Sequence, residues 1–217
     1  MNILVIGDLI LDKFSLGKVT RISPENHSQV FNIKENKFSL GGSGNVAANF
    51  QKLGNNVTLI GKIANDQSGK IIERILKKKK INYFLIKKKL YKTCTKNRYT
   101  TKYGQLLRVD DQQCENLDNS EIKKVINYVN KVRDLKAIYV SDYDKGFCNK
   151  KIINHLKLKF KKAVFFADPK TKKIDFFTKF DFLKPNLNYL NSFFDKKIKN
   201  NELSQHCKIL RKKNYIK

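Results

Sequence analysis

Residues Phe38–Gly54, read as FSLGGSGNVAANFQKLG, constrain this chain more than any other stretch. Three glycines, Gly41, Gly42 and Gly44, run directly into Val46, Ala47, Phe50 and Leu53, an apolar pattern of helical spacing. Glycine admits positive φ and lets a ligand approach without a Cβ in the way. A helix start just behind it offers unpaired N–H groups and the positive end of a dipole. The segment reads either as a cradle for a small polar or phosphorylated ligand or as a plain turn before a core helix. It is no P-loop, because G-x-x-x-x-G-K-[ST] is absent. It is no G-x-S-x-G elbow, because the fifth position is Asn45. Gly42, Gly44 and Ala47 meet only a relaxed dinucleotide fingerprint, and no clear buried strand leads directly into them.

Short apolar runs surround this segment. Ile3–Gly7, Val57–Ile63, Tyr83–Ile86, Ala137–Ser141, Ala163–Ala167 and Phe182–Leu183 read as strands. Between them, Ile71, Ile72, Ile75 and Leu76 mark one helix face. Ile122, Val125, Ile126 and Val129 mark a second helix over Asn119–Val132, with Asn119 or Ser120 as its cap. Ile152, Ile153 and Leu156 mark a third. Thr20–Phe38 reads as short strand segments, a small β excursion or lid. Lys92–Thr101 and Gln105–Asp110, flanking Tyr103-Gly104, read as a hairpin with Arg98 and Arg108 on its two arms. An arginine fork suits phosphate or carboxylate, and exposed arginines on a sheet fit the pattern equally well. The tail from Asp195 shows no strong pattern. Alternating strands and helices imply a parallel sheet, whose ligands bind outside the carboxyl ends of the strands. Polar clusters stand at those ends: Gly7-Asp8 with Asp12 close behind, Ser141-Asp142, Asp168-Pro169-Lys170 and Pro185-Asn186.

Charge is the feature most open to misreading. There are 46 Lys+Arg against 19 Asp+Glu, a formal net charge of +27. An excess of this kind attracts nucleic acid and anionic surfaces. Here it is almost all lysine, dispersed in runs such as Lys77–Lys80 and Lys87–Lys89, with no stripe interleaved with stacking aromatics. Solvated outer faces are the expectation, and specific nucleic-acid binding is not. The four cysteines form no C-x-x-C pair and the three histidines show no zinc spacing, so a reducing cytoplasm and no structural metal are expected. Asp8 interrupts the apolar N-terminus and no basic region precedes it, which reads as a buried strand rather than a signal peptide or membrane span.

Taken together, I-G-D-L-I-L-D (6–12), R-I-S-P-E (21–25), L-G-G-S-G-N-V-A (40–47), S-D-Y-D-K-G (141–146), D-P-K (168–170) and K-P-N (184–186) resemble the ribokinase-like (PfkB) carbohydrate kinases. The likeness runs from Ile3 to about Phe194. R-I-S-P-E with S-D-Y-x-K-G points to the heptose 7-phosphate kinase branch. The resemblance implies an α/β sandwich with a central, mostly parallel sheet flanked by helices, and a small β lid from segments around 13–38 and 92–110. It implies ATP and Mg²⁺ as cofactors. The reaction would be phosphoryl transfer to the anomeric hydroxyl of D-glycero-D-manno-heptose 7-phosphate, in cytoplasmic ADP-heptose supply for lipopolysaccharide core. By position, Asp8 and Asp12 would hold sugar hydroxyls, and Gly41, Gly42 and Asn45 would form the sugar-side floor. Arg98 and Arg108 are candidates for the existing phosphate, with Lys145 and Lys170 sharing that work, and Asn186 would lie on the nucleotide and metal side. The lid is a candidate surface for a homodimer.

Two departures shape the functional expectation. The family's G-A-G-D segment, which carries the base and the anion hole, is absent from these 217 residues. The family's N-x-x-E would begin at Asn186, but its fourth position is Tyr189. The chain is therefore expected to be one kinase domain, 1–217, lacking its C-terminal part and inactive alone. The alternative is a sugar-phosphate-binding pseudokinase, or a subunit completed by another chain.

Overall fold

The computed structural model describes residues 1–170 and 174–213. Its main sheet has six strands: β1 (Asn2–Gly7), β4 (Asn56–Ala64), β5 (Asn82–Lys88), β8 (Ala137–Ser141), β9 (Val164–Asp168) and β10 (Phe182–Leu183). They lie in the order β10-β9-β8-β1-β4-β5, and every neighbouring pair is parallel. Strand β1 shows why this sheet is buried on both faces. Ile3 and Val5 point into a core shared with α1 (Ser43–Lys52) and α2 (Gln67–Lys78). Leu4 and Ile6 point the other way, into a core shared with α3 (Asn119–Lys131) and α4 (Lys150–Lys159). Burying each such side chain contributes roughly 1.5–3 kcal/mol.

A second sheet, β3-β2-β6-β7, is built from β2 (Leu9–Ile22), β3 (Gln29–Gly42), β6 (Thr95–Thr101) and β7 (Gly104–Asp111). The sequence suggests short segments here, but β2 and β3 are 14 residues each and pair along their length. Alternation carries them that far: Leu11 and Leu40 turn into the core, while the polar residues between face outward or over the main sheet.

Three local expectations need correction. Strand β3 continues through Gly41 and Gly42, and α1 starts at Ser43, so the glycines sit at a strand-to-helix corner with no loop between. The cap of α3 is Asp118 rather than Asn119 or Ser120. Its carboxylate accepts the Glu121 N–H and the Glu121 carboxylate accepts the Asp118 N–H, both at 2.9 Å, a reciprocal capping box. The tail from Asp195 folds into a short 3-10 turn, Asn200–Glu202, and α6 (Leu203–Lys213), and Leu210 and Ile198 pack with Tyr189 and Leu190 of α5 (Leu187–Phe194). Among the described residues no helix is long and apolar enough to cross a membrane.

Candidate functional site

The chain runs outward from β1 to β4 and β5 on one side, then to β8, β9 and β10 on the other. The carboxyl ends of β1 and β8 therefore frame a switch-point crevice, where open α/β sheets bind ligands. Asp8 follows β1 directly and is buried. Its Oδ2 accepts the backbone N–H of Tyr143 at 2.7 Å and of Lys145 at 3.1 Å, and its Oδ1 accepts that of Phe147 at 3.1 Å. One carboxylate thus holds the whole turn after β8. Burial pushes the Asp8 pKa above the ordinary carboxylate value, against those N–H donors and the nearby Lys62 charge.

Lys62 is a buried cation near Asp8 that sequence reasoning missed. It lies in β4, buried, and its ammonium donates to the carbonyls of Glu115 and Lys145 and stands 4.3 Å from the centre of the Tyr91 ring. Burial lowers its pKa, and Asp8 opposes that most strongly. The only sequence signal is one lysine inside an otherwise apolar strand, Ile60-Gly61-Lys62-Ile63. Beside it, Lys88 bridges the Glu115 carboxylate and, at 3.3 Å, that of Glu121. Burial lowers the Lys88 pKa, but the bonds to those two acids outweigh it and leave the value raised.

The lid sheet brings a second group over the crevice. Asp12 of β2 pairs with Arg98 of β6 at 2.6 Å, and Arg98 lies over the Phe14 ring. Gly41 leaves room beside them, since a Cβ there would stand 2.5 Å from Asp12 Oδ2 and push that carboxylate aside. Gly42 turns the corner at φ +55, where a Cβ would also strike the Asp8 carbonyl oxygen at 2.3 Å. Across the crevice, Lys170 pairs with Asp168 at 2.8 Å, and its Nζ lies 5.4 Å from the centre of the Tyr143 ring. Lys96 of the lid approaches the same ring to 5.6 Å.

Asp8, Asp12, Gly41, Gly42, Arg98 and Lys170 thus lie along one chain of contacts, from the lid pair past the glycines to the 143 turn and Lys170. The remaining candidates stand apart from that group in what they touch. Arg108 registers opposite Arg98 but pairs with Asp110 at 2.9 Å and is more exposed. The Lys145 ammonium turns to Cys114 Sγ at 3.8 Å. Asn45 is exposed on the first turn of α1. Asn186 caps α5, its side-chain oxygen accepting the Tyr189 N–H at 2.7 Å. The Tyr189 hydroxyl is buried with no hydrogen-bond partner among the described residues. No cluster of three His, Cys, Asp or Glu side chains among the described residues could hold a metal ion. The described residues thus offer no all-protein metal cage there, which suits Mg²⁺ only as an ion carried by substrate phosphates with one or two carboxylates.

Comparison with known proteins agrees with this architecture. Residues 2–216 match the model of the pfkB family carbohydrate kinases. The chain is 32% identical over 213 residues to the bifunctional protein HldE of Marinomonas sp., covering 97% of this chain and 44% of that protein. It is 37% identical over 153 residues to the HldE of Aliarcobacter butzleri, covering 70% of this chain and 32% of the relative. The chain thus spans less than half the length of these relatives. Among solved structures, phosphofructokinase-2 from Escherichia coli in complex with substrates and products superposes with a TM-score of 0.76 at 15% identity, over 100% of this chain and 70% of that one. A carbohydrate kinase from Agrobacterium tumefaciens gives 0.64 at 15% identity, over 97% and 66%. At such identities the structural likeness speaks for the fold.

Proposed function

The chain belongs to the pfkB family of carbohydrate kinases, and from that premise we propose that its crevice binds a sugar phosphate, D-glycero-D-manno-heptose 7-phosphate, for phosphorylation at the anomeric hydroxyl. The observation that carries this is the meeting of lid and sheet edge over the glycine corner. On the lid stand the Asp12–Arg98 pair and, in register with Asp12, Lys96. Lys96 reaches the Tyr143 ring that Lys170 approaches from the sheet edge, with Gly41 beside Asp12 and Gly42 beside Asp8. Acids beside basic groups suit hydroxyls and a phosphate on one small molecule. Phosphoryl transfer needs in-line positioning and neutralised charge more than covalent chemistry.

In this reading Asp12 accepts from sugar hydroxyls. Asp8, whose carboxylate already takes three backbone N–H groups, keeps the 143–147 turn in shape around the sugar. ATP would supply the transferred phosphoryl group, with Mg²⁺ on its phosphates and Asn186 on that side. The choice of heptose rests on the R-I-S-P-E and S-D-Y-D-K-G motifs and on the HldE relatives. The setting is cytoplasmic supply of ADP-heptose for lipopolysaccharide core. Exposed apolar side chains on the lid, Ile33, Phe38, Leu107 and Val109, support pairing of two chains through it.

A second reading keeps the sugar site without catalysis by this chain alone. It is favoured by Tyr189, buried where the N-x-x-E pattern has a carboxylate. Calorimetric titration with heptose 7-phosphate tests the first claim, and failure to bind would remove it. ADP release on adding ATP separates the two readings: turnover at ordinary enzyme rates of about 1–100 per second would overturn the non-catalytic one.

A further inference from the structure

The lid face over the crevice holds three cations and two acids in adjacent rows. Lys96 stands in register between Asp12 of β2 and Asp110 of β7, and Arg98 stands between Phe14 and Arg108. Both acids are committed, Asp12 to Arg98 at 2.6 Å and Asp110 to Arg108 at 2.9 Å. Among the described residues no carboxylate pairs with Lys96. Its half-buried side chain reaches from the lid to the Tyr143 ring, which Lys170 approaches from the sheet edge.

We propose that Lys96 and Lys170, gathered at the Tyr143 ring, hold the phosphate the sugar already carries, while Arg98 and Arg108 act by fixing Asp12 and Asp110. This deepens the sugar-phosphate reading above and rests on it. A phosphate monoester brings roughly −1.5 to −2 charges and strong acceptor oxygens. The lid cluster carries a surplus of one positive charge, and Lys96 is where that surplus lies. An arginine already paired to a carboxylate must break or share that pair to take a phosphate, and so must Lys170, which Asp168 holds at 2.8 Å. Lys96, resting on a ring, gives up only a weak contact for a charge-assisted hydrogen bond, so Lys96 leads and Lys170 shares its pair with the phosphate. Because Lys96 comes from the lid and Lys170 from the main sheet, a phosphate between them also ties the lid down over the sugar.

The test uses the 217-residue chain as wild type, Lys96→Gln and Lys96→Arg, titrated calorimetrically with heptose 7-phosphate, unphosphorylated heptose and ATP. The Gln variant is expected to weaken heptose 7-phosphate binding by about 10- to 100-fold, the worth of one hydrogen bond to a charged group. Binding of free heptose and of ATP should stay unchanged, and the Arg variant should recover part of the loss. A Gln variant that keeps the wild-type preference for the phosphorylated sugar overturns the proposal. So does one that loses ATP affinity instead, which would make this a nucleotide-phosphate site. If the wild type binds heptose in neither form, the substrate reading fails by itself, and inorganic phosphate decides the clamp. Phosphate should shift the NMR signals of Lys96 and Tyr143 in the wild type and not that of Tyr143 in Lys96→Gln, and an unshifted wild type overturns it.

Discussion

Replacing Asp8 by Asn keeps the shape of the side chain and changes only what it can accept. Three backbone N–H groups point at the native carboxylate, from Tyr143 and Lys145 at one oxygen and from Phe147 at the other. A carboxamide has a single oxygen. Its better orientation sets that oxygen toward Tyr143 and Lys145, leaving its NH₂ against the Phe147 N–H. One buried donor is then unpaired, at about 1–3 kcal/mol, and the two retained bonds lose their charge assistance, at roughly 1 kcal/mol each. Relief from burying a carboxylate outweighs that lost charge assistance and the charge Lys62 loses, since burial leaves the Asp8 pKa raised against both. The expected net loss is therefore set by the unpaired donor, about 1–2 kcal/mol, which lowers a urea midpoint by roughly 0.5–1 M at a slope near 2 kcal/mol/M. The chain has no tryptophan, so far-UV circular dichroism and tyrosine fluorescence are the probes. Hydrogen exchange should show the Phe147 amide losing more protection than that of Tyr143. The pH profile has a definite sign as well. The folded Asp8 pKa lies above its unfolded value, so wild-type stability falls as pH rises from near 4 through the folded pKa, and the variant lacks that limb. A midpoint within about 0.3 M of wild type, well inside the slope argument, together with unchanged Phe147 protection, would refute the view that this carboxylate holds the turn.

Gly41→Ala should cost about 1–3 kcal/mol by crowding Asp12 Oδ2 and should weaken sugar-phosphate binding while circular dichroism stays native-like, because φ at Gly41 is not positive; unchanged binding would count against Asp12 as a sugar ligand. Tyr189→Phe removes a buried hydroxyl without a partner among the described residues, so thermal unfolding should find stability unchanged or raised by up to about 1 kcal/mol, and a clear loss would mean the hydroxyl is bonded in solution. Glu202, held down to about 2 by its hydrogen bonds to Lys196 and the Lys199 N–H, contributes stability that is present above its unfolded pKa and lost as pH falls toward 2. Glu202→Gln should flatten that acid limb in a pH series of melts.

Much of the fold is legible in the sequence because strands buried on both faces must be continuous apolar runs, and Ile3–Gly7 or Ala137–Ser141 can be little else. The polar groups at strand ends are legible for the same reason, since parallel topology puts those ends on one edge. What is not legible depends on partners far away in the chain. Asp8 looks like a free carboxylate until the turn 135 residues on from it is brought alongside. Lys62 looks like an outward lysine until Glu115 and Lys145 present their carbonyls to it. Arg108 looks equivalent to Arg98 until Asp110 takes it up. The α6 helix was hidden by its composition, since apolar residues as sparse as Leu203 and Leu210 give little periodic signal before Tyr189 and Ile198 form the surface they meet.

The place of β1 in the middle of the main sheet sets a timetable for synthesis. Ile3 pairs with Val57 on one side and with Ala137 on the other. At about 5–20 residues per second, β8 follows β1 from the ribosome by roughly 7–27 s. Once β4 has emerged and until β8 does, β1 has one neighbour in place and one open edge, the geometry that invites pairing with other nascent chains. Late closure of that edge is therefore written into the strand order, and the first strand is flanked on both sides only when the second half of the chain arrives.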